Sequence, residues 1–207
     1  MINLYTWSTP NGRKVSIMLE ETGLPYAVHP VDLGKNDQFD EDFLQISPNN
    51  KIPAIVDEGN GRSMMESGAI LVYLAEKTGM LMPDVHRWQI LEWLMWQMSG
   101  LGPNCGQAHH YMHFNPGVSE YTERRLKVEI QRLYTVLDDQ LEENEFVAGA
   151  YSIADISLWP WVSRFEWHRV DLDEFENIKR WYLEIADRPA VRKGYDIPAT
   201  GNQIPVP

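Results

Sequence analysis

The strongest constraint on the fold is a change of pattern near residues 81–84, Leu-Met-Pro-Asp. Before this point, apolar segments of strand length alternate with segments whose apolar residues recur at helical spacing. After it, the convincing periodic segments are all helical. The chain is therefore predicted to combine an α/β domain with an all-α domain, joined by a short linker around Pro83.

The first eighty residues predict a strand-helix-strand unit, then a β-hairpin that turns at 59–61, then a helix. This order gives a mixed sheet covered by helices, and Pro30 places the second strand at an edge. The predicted strands are 2–5, 26–31, 53–57 and 63–65; the predicted helices are 12–22, a loosely helical stretch at 34–46, and a helix from Ser67 to Gly79.

The second part predicts three amphipathic helices, at 86–99, 119–143 and 175–187. The tail from Asp196 holds three prolines and one glycine in twelve residues and is predicted to be irregular. The predicted apolar faces are Trp88, Leu91, Met95 and Met98; Leu126, Ile130, Leu133, Leu137 and Leu141; and Ile178, Trp181, Tyr182 and Ile185. The predicted domains are 1–82 and 86–195, with a tail at 196–207.

The composition excludes several classes of function. A formal net charge of −12 argues against non-specific nucleic-acid binding and against docking on anionic membranes. The one cysteine, Cys105, excludes an intrachain disulfide. No basic-then-apolar secretory signal is visible, and no segment approaches the roughly 20 apolar residues that span a bilayer. We expect a cytoplasmic protein without a membrane or nucleic-acid partner.

The segment W-S-T-P-N-G-R-K-V, residues 7–15, joins the first strand to the first helix. In a purely structural interpretation Thr9 or Asn11 caps the helix, with Pro10 and Gly12 shaping the turn. In a functional interpretation the helix N-terminus offers backbone N–H groups and positive potential, and a Ser8 or Thr9 hydroxyl stabilises a thiolate there. The segment lacks the glycine pattern of a phosphate-binding loop.

Two further segments also allow both a structural and a functional interpretation. Ile52-Pro53 precedes an apolar strand; the proline marks an edge, or a cis peptide turns the Ile52 backbone toward a peptide ligand. Glu66-Ser67 opens a helix; Ser67 is a cap, or it binds a carboxylate while Glu66 meets an ammonium group. A short peptide with an α-amino-acid end and a central cysteine would satisfy all three segments.

Several strings resemble the cytosolic glutathione transferases, specifically the bacterial nu-class and yeast prion-protein-like branch of disulfide-bond oxidoreductase type. The strings are T-P-N-G (9–12), D-L-G-K-x-x-Q-F (32–39), I-S-P-N-N-K-I-P-A-I-V-D (46–57), E-S-G-A-I-L-V-Y-L-A-E-K-T-G (66–79), G-L-G-P (100–103), Q-x-H-H (107–110) and Y-S-I-A-D-I-S-L-W-P-W (151–161). The resemblance covers nearly the whole chain apart from the tail. It implies a thioredoxin-like N-terminal domain with a four-stranded mixed sheet, and an all-helical C-terminal domain that completes the cleft.

The resemblance also implies roles for individual residues. Thr9 and Asn11 would act at the glutathione sulfur. Arg125, on the long helix, would reach the site of a neighbouring subunit, with Arg124 beside it leaving the register open. The remaining implied glutathione contacts are Gln38, Lys51, Ile52 before a cis Pro53, and Glu66 with Ser67 at the γ-glutamyl group.

The activity implied by the resemblance is reduction of disulfides by glutathione in a homodimer that holds oxidised glutathione or two reduced molecules. Glutathione is then a substrate or co-substrate, no metal is needed, and weak transferase or peroxidase activity is allowed. The alternatives are conjugation of electrophiles, a non-catalytic glutathione sensor and a structural interaction module. No protein thiol is required, because the glutathione sulfurs carry the redox change.

Four side-chain groups offer rival chemistry. Tyr5 lies too early for a catalytic phenol of the tyrosine-type classes, whereas Ser8 competes with Thr9. Cys105 lies in the helical part and is predicted to be a bystander. His109 and His113 form an i,i+4 pair beside His110, but two ligands are too few for a metal site, so cleft lining or packing is favoured.

Overall fold

The sheet forms because four short apolar segments pair in the order β2-β1-β3-β4. β1 pairs with β2 in parallel and with β3 antiparallel, and β3 pairs antiparallel with β4, so the sheet is mixed, as predicted. The computed structural model describes all residues, 1–207. The strands are β1 (Ile2–Thr6), β2 (Tyr26–Pro30), β3 (Ala54–Asp57) and β4 (Arg62–Met65).

Nine α-helices accompany the sheet, and two of them are continued by π-helical turns at 97–101 and 109–114. The helices are α1 (Pro10–Thr22), α2 (Glu41–Ile46), α3 (Ser67–Thr78), α4 (Arg87–Trp96), α5 (Gly102–Ala108), α6 (Glu120–Glu142), α7 (Ile153–Val162), α8 (Glu176–Ala186) and α9 (Pro189–Tyr195). None combines the length and the apolar character that crossing a bilayer requires.

The chain divides into two compact units. The first comprises residues 1–82 with 187–204, and the second comprises residues 83–186 with 205–207. The chain passes from the first unit to the second between Met82 and Pro83. The predicted C-terminal domain of 86–195 and the separate tail of 196–207 differ from this division, because α9 and most of the tail pack with the α/β unit.

In the first unit, α9 is held against α1 by close backbone approach and by polar contacts. A Cβ on Gly194 would lie 2.7 Å from the Ile17 backbone, so the two helices approach at a distance that only glycine allows. The Ser16 hydroxyl donates to the Gly194 carbonyl at 2.6 Å, and Arg188 forms a bidentate ion pair with Glu21 at 2.7 and 2.9 Å. These contacts join residues more than 160 positions apart.

The sheet is connected to α3 through one buried carboxylate. Asp57, at the end of β3, accepts from Lys77 Nζ at 2.7 Å and from the Tyr73 hydroxyl at 2.5 Å. These two hydrogen bonds hold the pKa of Asp57 down at about 2, so the carboxylate is ionised at neutral pH. The hairpin is thereby fixed to the helix that begins at the candidate site.

In the second unit, the predicted core faces of α6 and α8 are buried as expected. The prediction of the buried face of the 86–99 helix is wrong. Trp88 and Met95 are 77% and 54% exposed, whereas Ile90 and Leu94 are buried. Apolar residues occupy two faces of this helix, so its sequence pattern alone does not decide which one packs inward.

A capping box, Ser152-x-x-Asp155, begins α7. The Ser152 hydroxyl accepts from the Ala154 N–H at 3.2 Å, and Asp155 accepts from the Ser152 N–H at 3.0 Å. Asp155 also accepts from the Trp181 indole at 2.9 Å, although burial raises the pKa of its carboxyl to about 6. Its role is structural.

Candidate functional site

The register of the sheet brings the three segments discussed above, at 7–9, 52–53 and 66–67, to the same end of the strands. Tyr5, near the end of β1, pairs with Ala54 at the start of β3, and Ala54 pairs with Met65 at the end of β4. The turn after β1, the Ile52-Pro53 peptide before β3 and the Glu66-Ser67 step after β4 therefore leave the sheet on the same side. Because β2 runs parallel to β1, the segment that follows β2 and contains Gln38 also leaves the sheet at this end of the strands.

The turn at 7–9 ends in a helix cap made by Thr9. Its backbone is extended, with φ of −119°, and its Oγ1 accepts the Gly12 N–H at 3.1 Å. Of the two candidate caps, Thr9 rather than Asn11 takes this position. Because the backbone N–H supplies the proton of this bond, the Thr9 hydroxyl keeps its own hydrogen to donate elsewhere.

The neighbouring hydroxyl, Ser8, is engaged differently. Its Oγ lies 3.0 Å from Thr200 Oγ1 in the C-terminal segment of the same unit. Sequence reasoning did not place residue 200 at this turn, and its proline-containing surroundings carry no signal for it. The contact occupies Ser8 with a protein partner, which favours Thr9 as the hydroxyl that serves a ligand.

The Ile52–Pro53 peptide bond is cis, as the resemblance implied. The ladder of β3 begins at Ala54, so the Ile52 N–H and C=O are not paired with β4. The Ile52 side chain packs against the small cluster of Val31, Phe43 and Ala54, which anchors this stretch. Its backbone is thus available for strand-like pairing with an extended peptide.

Lys51 directly precedes Ile52 in the chain. Gln38 lies in the segment that follows β2. Lys51 is exposed, and its carbonyl accepts from the buried Ser47 hydroxyl at 2.8 Å. Gln38 lies in a single 3₁₀ turn, residues 37–39, and its Oε1 is buried without a hydrogen-bond partner. A buried acceptor of this kind is a ready contact for a ligand N–H.

Glu66, rather than Ser67, occupies the cap position of α3, which corrects the simple capping interpretation. Glu66 makes no side-chain cap, and its φ of +72° and ψ of 110° are strained for a residue with a side chain. Ser67 is the first helical residue, and its Oγ accepts from Lys14 Nζ at 3.3 Å. Sequence reasoning missed Lys14, because α1 is buried over most of its surface and its lysine has no distinctive spacing.

Arg125 lies in the second unit, on α6, with an exposed side chain. Its neighbour Arg124 pairs with Glu120 at 3.8 Å on the helix surface. Tyr5, in β1, stacks on His29 with ring centroids 4.7 Å apart, so it belongs to the sheet and not to the turn.

Two histidines of the second unit, His109 and His168, are buried in its core. His109 Nε2 lies 2.9 Å from His168 Nε2, and His168 Nδ1 lies 2.8 Å from the Tyr134 hydroxyl. Burial lowers the pKa of His109 to about 4, so this network is neutral. His113 stacks on Trp167, and no group of three or more histidine, cysteine or acidic side chains is arranged to hold a metal ion.

Cys105 is buried beside this network, with its Sγ 4.0 Å from His168 Nδ1. Burial raises the pKa of the Cys105 thiol far above its ordinary value, so the reactive thiolate is disfavoured. The only cysteine of the chain is therefore unsuited to redox chemistry.

Comparison with known proteins agrees with this geometry. A family model for the glutathione S-transferase N-terminal domain matches residues 4–80, and one for the C-terminal domain matches residues 120–184. The chain belongs to the glutathione S-transferase family. Within this family it is 50% identical over 198 residues to the disulfide-bond oxidoreductase YfcG of Escherichia coli (strain K12), covering 92% of each chain.

Two solved glutathione transferases share the fold of this family member. One, from Burkholderia graminis, has two glutathione molecules bound per subunit; its TM-score is 0.91 at 42% identity, over 97% of this chain and 89% of that chain. The other, from Pseudomonas putida, has one glutathione disulfide bound per subunit; its TM-score is 0.90 at 43% identity, over 96% and 92% of the two chains.

Proposed function

We propose that this glutathione S-transferase family member reduces disulfides with glutathione and accommodates oxidised glutathione or two reduced molecules. The observation that carries the proposal is the turn at 7–9, where a hydroxyl donor rather than a cysteine stands at the start of α1. The name of the Escherichia coli relative and the ligands of the two solved relatives support the same chemistry.

In the proposed site the Thr9 hydroxyl donates to the glutathione sulfur. Asn11 and the N-terminus of α1 add positive potential, which increases the thiolate fraction. Ile52, ahead of the cis Pro53, pairs with the ligand backbone. Glu66 and Ser67 bind the γ-glutamyl ammonium and carboxylate, and Gln38 and Lys51 supply the remaining contacts.

The reaction balances without a protein thiol. One glutathione thiolate attacks a sulfur of the disulfide RSSR, which forms the mixed disulfide GS–SR and releases RS⁻, and RS⁻ takes up a proton. A second glutathione thiolate attacks the glutathione sulfur of GS–SR, giving oxidised glutathione and a second RS⁻, which also takes up a proton. Two glutathione molecules are oxidised and one disulfide is reduced. The protein stabilises sulfur anions and orients them.

The first test compares the wild type with Cys105→Ala in the reduction of hydroxyethyl disulfide by glutathione. Both proteins are expected to turn over at rates within about twofold, because a buried thiol of raised pKa takes no part. The assay follows formation of oxidised glutathione. Tight glutathione binding without wild-type turnover would favour the sensor, and turnover of an electrophile alone would favour conjugation.

We also propose that the protein is a homodimer in which Arg125 of one subunit contacts glutathione in the other. Large apolar side chains are exposed in the second unit, on the surfaces of α4 and α6, and a self-complementary contact would cover them. They are Trp88 (77%), Met95 (54%), Tyr121 (71%) and Val128 (71%). Arg125 lies between Tyr121 and Val128 on α6.

A complementation experiment tests the Arg125 contact. Arg125→Ala is expected to weaken glutathione binding about tenfold, as loss of one charge-assisted hydrogen bond does. Mixing Arg125→Ala with Thr9→Ala subunits, followed by exchange and assay at glutathione concentrations below the dissociation constant, is expected to restore about a quarter of the wild-type activity, because half of the dimers then hold one intact site. Activity equal to the mean of the two variants would contradict a contact between subunits, and Arg124→Ala is the control for the register.

We further propose that the protein acts in the cytoplasm. Disulfide reduction by glutathione runs forward where reduced glutathione is in excess, and the cytosol keeps thiols reduced.

A further inference from the structure

Lys14 is one of two fully buried cationic side chains on α1, beside Arg13. It lies on α1, its side chain is fully buried, and its Nζ donates to Ser67 Oγ at 3.3 Å. Removing an ammonium group from water is costly unless nearby groups compensate. Ser67 begins α3, where the proposed site binds the γ-glutamyl carboxylate.

We propose that Lys14 is a positioning residue for the ligand carboxylate, and that binding of this carboxylate is coupled to uptake of a proton by Lys14. The inference rests on the proposed glutathione site and adds a charge beneath it. An ammonium group has no acceptor, so Ser67 Oγ must accept from Lys14 and directs its own hydrogen away from it. A ligand carboxylate that accepts this hydrogen lies within about 6 Å of the Lys14 charge, close enough for strong coupling.

The electrostatic surroundings agree with such a coupling. Burial lowers the pKa of Lys14 to about 7, and the negative charge of Glu66 opposes this shift. Arg13, the neighbour of Lys14, contacts Tyr195 of α9, the other helix that packs against α1. The Tyr195 ring centroid lies 3.7 Å from the guanidinium carbon of Arg13, and the Tyr195 carbonyl accepts from Arg13 Nε at 2.9 Å. The charge of Arg13 in turn acts on Asp196.

Tyr73 and Lys77, which are also on α3, are occupied by Asp57. The negative charge of Glu66, the cap residue of α3, acts on Lys14, and a bound carboxylate would add a second negative charge. The added charge raises the pKa of Lys14 in the complex above its value in the free protein. The affinity for the ligand carboxylate is then highest below about pH 7, where Lys14 is protonated in the free protein, and it falls as the pH rises from there toward the pKa of Lys14 in the complex.

The test measures binding of S-methylglutathione, which has no titrating thiol, by calorimetry between pH 6.5 and 8.5 in phosphate and in Tris. For the wild type we expect uptake of a substantial fraction of a proton near pH 8, and an affinity that falls about three- to tenfold across the range. Lys14→Arg should bind without this pH dependence, because its charge is permanent. Lys14→Met should bind weakly and also without it. The ligand amine titrates equally in all variants, so the difference from the wild type isolates Lys14.

Lys35→Met is the matched control, because Lys35 is an exposed lysine of the same unit, paired with Asp32 at the surface. It should keep the wild-type affinity and proton uptake. Wild-type binding without proton uptake would overturn the inference even if Lys14→Met does not fold, as would an unchanged pH profile in Lys14→Arg. Absence of wild-type binding at every pH would overturn the proposed glutathione site itself.

Discussion

Thr9→Val is expected to lower kcat/KM for the reduction of hydroxyethyl disulfide by about 10- to 100-fold, because a hydrogen bond to a charged group contributes about 1.5–3 kcal/mol. Valine keeps the shape of the side chain and removes the donor. The proposed role is compatible with the structure, in which Thr9 Oγ1 accepts the Gly12 N–H and the hydroxyl keeps its own hydrogen to donate. The ionisation of bound glutathione, followed by thiolate absorbance, should move to higher pH, since the lost donor favoured the anion.

Three companion variants test whether the effect belongs to the Thr9 hydroxyl. Thr9→Ser keeps both the cap and the donor and should stay within a fewfold of the wild type. Thr9→Val and Thr9→Ala both lose the cap as well as the donor, at about 1 kcal/mol of stability, and Thr9→Ala also removes the shape of the side chain. Ser8→Ala should have little effect on the chemistry, because Ser8 is engaged with Thr200. Wild-type activity in Thr9→Val together with a large loss in Ser8→Ala would assign the sulfur to Ser8 instead.

Gly12→Ala is expected to lower the free energy of unfolding by about 3 kcal/mol and to abolish most of the activity. A Cβ at this position would lie 2.2 Å from the Trp7 carbonyl oxygen and 2.6 Å from Thr6 Oγ1. Neither atom is the far end of a flexible side chain, so relief requires displacement of α1 from β1. That displacement also moves the Gly12 N–H, which aims the Thr9 hydroxyl.

Urea unfolding measures this effect, and Gly106→Ala is the matched control. Gly106 lies inside α5, where a Cβ would be 3.6 Å from the Trp161 ring, an ordinary contact. Alanine there should be neutral or stabilising by up to about 1 kcal/mol, since it improves helix propensity. An unfolding midpoint for Gly12→Ala equal to that of the wild type would show that the turn has room that the structure does not indicate.

The elements with regular apolar patterns were predictable to within about two residues. All four strands were found, and α6 and α8 have the predicted buried faces. Three helices were not given bounds from the sequence, for identifiable reasons. Every residue of α7 is buried, so it has no polar face to create a period; α5 is short and contains two glycines. Pro189 ends one helix but is also the first residue of α9.

The sequence by itself determined the two fold classes, the family and the three segments proposed to carry the chemistry, because these depend on local pattern and on strings of residues. The tertiary structure decided which hydroxyl of the first turn meets the C-terminal segment, where the last helix packs and what lies beneath Ser67. Each of these depends on contacts between residues far apart in the chain. Ser8 meets Thr200, Gly194 meets Ile17, and Lys14 meets Ser67. No local pattern records such contacts, since only the packed core fixes which distant residues meet.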